Sequence, residues 1–169
     1  MKKHLDRIMN IMGELELLIS GILFGVIVCI MFLQIFSRYL LRNPLIWPEE
    51  LSIMLMVWMV YIGASYTLKK KRHLSLDFIM EKIPVKIAKW IYIGTDLVVV
   101  VFLVYTIWGA WLLQPLMARN TTVALRIPTN YYTMAVIVGG ILMALYLIYD
   151  LSIRLVGLST QKRGESIAE

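Results

Sequence analysis

The sequence predicts an all-α membrane protein with four transmembrane helices, a short in-plane amphipathic helix, and both termini in the cytoplasm. Three observations predict it. Apolar residues make up 60% of the 169-residue chain, and the mean hydropathy of +0.76 is that of a lipid-embedded chain, whereas soluble domains are about half apolar. Apolar runs of spanning length occur at Leu17 to Phe36, Leu51 to Leu68, Trp90 to Leu113 and Tyr131 to Tyr149. About 20 residues rising ~1.5 Å each cross a hydrocarbon core of ~30 Å, and lipid forces such runs to be helical because it offers backbone groups no partner. The third observation is charge placement. With the amino terminus inside, thirteen of the seventeen basic residues fall in inner segments, and only Arg38, Arg42, Arg119 and Arg126 fall outside. That is the positive-inside asymmetry.

These signals place spans at about 15–37, 48–68, 88–113 and 130–154 and an interfacial helix at about 75–83. All belong to one four-helix domain over 1–158, followed by a flexible cytoplasmic tail over 159–169. No gap between spans is long enough for a separate soluble domain. The net charge of +6 is absorbed by topology and by attraction to anionic headgroups, so nucleic acid is not an expected partner. Cys29 stands alone inside the first span, which excludes a disulfide framework. The first span is longer than a signal-peptide core and no A-x-A site follows it, so it is expected to remain uncleaved.

Met1 to Glu16 is a short mixed-charge lead-in, either on the inner surface or at the start of the first helix. Gly21 and Gly25 are spaced G-x-x-x-G, a pattern that lets another helix approach closely. Asn43-Pro44 ends that helix, since proline disfavours helical geometry in the residue before it. Pro48 suits the first turn of the second helix, and Glu49 and Glu50 suit its positive dipole end. The glutamates are also candidates for pairing with Arg38, Arg42 or the basic groups of another protein, with Trp47 as an interfacial anchor. Together Arg38, Arg42, Trp47, Glu49 and Glu50 form a candidate docking platform on the outer side.

The second span carries Gly63, a further candidate packing point, and stops at Lys69, Lys70, Lys71, Arg72 and His73, a cluster placed at the lipid interface with Trp90. Leu76, Ile79, Met80 and Ile83 recur at helical spacing with Asp77, Glu81 and Lys82 on other faces, and Pro84 follows. Such a segment is too short to span and fits a helix lying in the interface. In the third span Asp96 is the one charge inside an apolar run, and it either pairs near the inner edge or acts on its own account. The fourth span carries Gly139-Gly140, a candidate close-packing point, and Asp150 and Arg154 at i, i+4. Asn120-Thr121-Thr122 in the outer loop matches a glycosylation sequon.

All five prolines, at 44, 48, 84, 115 and 128, are placed at junctions or helix ends. A transporter that carries its own cargo site builds it from broken helices at the midplane, and no span here is visibly broken. The chain also lacks repeats, a phosphate-binding loop, a metal cluster and any nucleophile–base set recognisable by spacing. It is not expected to be an enzyme or to hold a cofactor. Its two histidines lie outside the spans, which argues against a haem anchor. A partner is implied.

The pattern RYLLRNPLIWPEEL, then VWMVYIGAS, then the basic stretch with His73, then LDFIMEKIP, resembles the small DctQ-like membrane subunit of the TRAP (tripartite ATP-independent periplasmic) transporters of the bacterial inner membrane. The TTVALRIP segment before the fourth span fits as well. The chain departs from that pattern at Ser52 and Ile53, where the family often has a basic residue. The resemblance implies a large membrane subunit that carries the substrate and sodium sites and moves in elevator fashion, and a soluble periplasmic binding protein that delivers an organic acid such as sialic acid or a C4-dicarboxylate. This chain would then brace the large subunit's static scaffold and help dock the binding protein. The competing reading is a self-sufficient homodimeric exporter built around Asp96.

Overall fold

A computed structural model describes residues 2–40, 42, 45–74 and 85–165. Four helices account for most of them: α1 (Lys2–Tyr39), α2 (Trp47–Leu74), α3 (Val85–Arg119) and α4 (Asn130–Glu165). Each contains a stretch long and apolar enough to cross a membrane, of 33, 24, 26 and 22 residues in chain order. At ~1.5 Å per residue the first exceeds a ~30 Å hydrocarbon core, so α1 tilts or projects beyond it. The chain is a multi-pass membrane protein.

The helices stand in an open row. α1 packs on α2, α2 on α4, and α4 on α3, so the last helix in sequence is interior and the first and third are the edges. The buried apolar side chains follow that order: Ile62 on α2, Leu103 and Ala110 on α3, and Ala135, Tyr146 and Leu147 on α4. α4 can lie between two neighbours because two consecutive glycines open it on both sides. A Cβ at Gly139 would stand 2.6 Å from the Cβ of Tyr61 on α2 and 3.0 Å from its backbone oxygen. One at Gly140 would stand 2.8 Å from Cγ1 of Ile107 on α3. Small residues bring membrane helices into backbone contact, which apolar driving force cannot do where lipid is equally apolar.

Three details bear on the sequence reading. Pro115 lies inside α3, four residues before its end. Its ring removes the N–H that would have bonded the Trp111 carbonyl, a loss the helix tolerates in its last turns. Beside it an apolar groove of 570 Å³ runs between Trp58, Trp111, Gln114, Met134 and Ile137. α4 runs on to Glu165, past the boundary expected at 158. Among the described residues nothing comes within 4 Å of a Cβ built at Gly21 or Gly25. The interfacial helix expected at 75–83 lies outside the described residues.

Candidate functional site

Two polar constellations occupy opposite ends of the helices. At one end α1 finishes, α2 begins, and residues 120–129 join α3 to α4. This loop is a small hairpin: Thr121 and Pro128 form an antiparallel bridge, Thr122 N–H donates to the Ile127 carbonyl at 2.9 Å, and Thr129 N–H donates to the Asn120 carbonyl at 2.9 Å. Thr122 also accepts from Ile127 N–H through Oγ1 at 3.1 Å, and Thr129 Oγ1 donates to the Met117 carbonyl at 2.9 Å. Arg126 takes a left-handed φ of 53°, which closes the turn.

Glu50, in the first turn of α2, holds the hairpin from below. Its Oε1 accepts Ala124 N–H at 2.9 Å, and its Oε2 accepts Ala124 N–H at 3.0 Å and Leu125 N–H at 2.9 Å. A carboxylate on two successive N–H groups is a charge-assisted, geometrically specific arrangement. Here the backbone of the loop takes the place expected for Arg38 or Arg42. Both arginines are exposed, as is Glu49; Trp47 is half-buried and Pro48 is fully buried. Arg42 also has a left-handed φ, of 51°.

At the other end Glu16 of α1 is 5% exposed. It accepts from Ser65 Oγ on α2 at 3.0 Å and from the Tyr146 hydroxyl on α4 at 3.1 Å. Lys69 on α2 donates from Nζ to the Met9 carbonyl of α1 at 2.8 Å and lies 5.9 Å from the centroid of the Tyr146 ring. A Cβ at Gly13 would meet that Nζ at 2.5 Å, so the glycine makes room for the ammonium. Lys69 thus finds a carbonyl and an aromatic face within the chain. Lys70 is exposed beside the Tyr66 ring, at 5.8 Å. The side chains of Lys71, Arg72, His73 and Trp90 lie outside those described.

Sequence reading missed Glu16 as a site residue. The one local hint is a carboxylate directly before an apolar run; the partners that give it a role are distant in sequence. Asp96 is also buried, at 5% exposure, and is engaged within the chain. Among the described residues no group of three or more His, Cys, Asp or Glu side chains is arranged to hold a metal ion. Between α1 and α2, an open apolar groove of 840 Å³ is lined by Leu17, Ser20, Gly21, Phe24, Val60, Gly63 and Ala64 among others. Gly63 lies in ordinary contact with Ser20, 3.5 Å from its hydroxyl.

Residues 27–156 match the family described as "Tripartite ATP-independent periplasmic transporters, DctQ component". The chain is similar to the sialic acid TRAP transporter small permease protein SiaQ of Vibrio cholerae, with 25% identity over 160 residues, 93% of this chain and 92% of that protein. The C4-dicarboxylate TRAP transporter small permease protein DctQ of Vibrio cholerae is 22% identical over 106 residues, 63% of this chain and 46% of that protein. The sialic acid TRAP transporter permease protein SiaT of Haemophilus influenzae is 38% identical over 82 residues. That match takes in 48% of this chain but only 13% of the much longer relative.

Proposed function

The chain belongs to the DctQ component family of the tripartite ATP-independent periplasmic transporters, and from that premise we propose that it braces a large membrane subunit and helps dock a soluble periplasmic binding protein. The large subunit binds substrate and sodium, so that uptake is a sodium-driven symport of an organic acid, and this chain needs no cofactor of its own. Sialic acid and C4-dicarboxylates, named for the relatives, are the substrate classes to test first. The amino and carboxyl termini face the cytoplasm, and the Glu50 platform faces the periplasm.

One observation carries the bracing role. The groove between α1 and α2 is walled by Ser20, Gly21, Gly63 and Ala64 and stays open, and a Cβ at Gly21 or Gly25 would meet nothing among the described residues. Lipid tails have no need of glycine, whereas a second helix does. The groove is the seat of a large-subunit helix. The match to a short part of SiaT supports the same reading, because a segment similar to this chain occurs there joined to a longer polypeptide.

Purification of the tagged chain from native membranes in mild detergent tests this. A large permease should co-purify, and liposomes should take up the organic acid only when both subunits and the soluble protein are present. Uptake by this chain alone would overturn the reading.

A further inference from the structure

The platform end presents an apolar side chain to water on a rigid support. Val123 is 89% exposed, and its two chain neighbours are fixed. Thr122 is bonded to Ile127 through both its N–H and its hydroxyl, and Ala124 is bonded to Glu50. The tip is held by a carboxylate belonging to another helix, so Val123 is presented in one place at little further entropy cost on binding.

The surroundings of this tip are basic. Arg38, Arg42, Arg119 and Arg126 are all exposed. Glu49 is the exposed carboxylate at this end, while that of Glu50 is turned to the hairpin backbone. Trp108 and Trp111, both exposed on α3, mark the aromatic belt where the membrane ends. Arg119 lies eight residues, about 12 Å of helix, past Trp111 and closes the apolar stretch of α3. Val123 stands at the outer end of the helices, on a hairpin held to the first turn of α2, and the exposed arginines at that end suit a partner that carries carboxylates.

We propose that the Glu50-clamped hairpin is the docking tip of this subunit and that its partner is a soluble protein bearing an apolar recess rimmed by carboxylates. Val123 enters the recess, and Arg126 and Arg119 pair with the rim. The proposal rests on the docking role given above and assigns that role to particular residues. It also assigns Glu50 a supporting part: the carboxylate positions the tip and does not itself meet the partner.

The test uses the complete membrane complex in nanodiscs and measures binding of its soluble binding protein for wild type, Val123→Asp and Arg126→Glu. Each variant should weaken binding about tenfold or more, as expected of a residue at the energetic centre of an interface. Arg126→Lys should retain most of the affinity, and Arg126→Glu should flatten the decline of association rate with added salt. Amide exchange at Ala124 and Leu125 should stay slow in both variants, which shows the hairpin intact. Unchanged affinity in both, with the large subunit still recovered, would overturn the hairpin's role while leaving the bracing role standing. Loss of affinity for protein-free nanodiscs in place of the soluble protein would also overturn it, by making the tip a lipid contact. A wild-type complex that binds no soluble protein would remove the docking role and this inference together.

Discussion

The hydroxyl of Tyr146 donates to Oε1 of Glu16 across 130 residues of sequence, at 3.1 Å. This bond joins the edge helix α1 to the interior helix α4, although the two have no extensive packing of their own. With Ser65 Oγ on the second carboxylate oxygen, one side chain holds three helices in register.

Loosening this point should detach α1 before anything else. Tyr146→Phe is expected to cost about 0.6 to 1.7 kcal/mol, the range of interhelical hydrogen bonds measured in membranes. Glu16→Gln should cost a similar amount, because an amide nitrogen replaces one of two acceptors. A double-mutant cycle read by reversible unfolding in detergent should give a non-zero coupling between them; additive losses would mean that the bond contributes nothing.

Glycines 139 and 21 should separate folding from assembly. Gly139→Ala drives a methyl against Tyr61 and should destabilise the isolated chain by about 1 to 3 kcal/mol. Gly21→Leu meets open space and should leave that stability unchanged while reducing recovery of the large subunit. Equal effects of the two on the isolated chain would refute the division.

Glu50→Ala should free the loop without disturbing the spans. Amide exchange at Ala124 and Leu125 should rise toward the rate of an unbonded loop, with the helical circular dichroism signal intact. Persistent protection at both amides would show that the hairpin holds itself.

Reporter fusions check the orientation. A carboxy-terminal reporter that works only in the cytoplasm should be active, and an insertion after Val123 should be accessible from outside. The reverse pattern would turn the platform to the wrong side.

The helices themselves were legible because lipid imposes a length and forbids loose backbone, so the four apolar runs read directly. The order of the row was not, since nothing local in the third run says that it packs only on the fourth. Glu16 escaped notice for the same reason: it sits beside Glu14 in a charged lead-in, and its partners are 49 and 130 residues away. Glu50 was singled out by its place after Pro48. Its partners are two backbone amides, and amides leave no trace in residue identity. The Gly139-Gly140 pair was visible as small residues, but that each faces a different neighbour depends on the row.

The clamp beneath the hairpin also bears on how the protein is made. Glu50 leaves the ribosome some 75 residues before Leu125, a delay of roughly 4 to 15 s at ordinary synthesis rates. During that interval the second helix waits in the bilayer with its carboxylate unmatched, and a chain truncated before the hairpin never completes the pairing. The finished clamp can therefore form only after the third helix has been made.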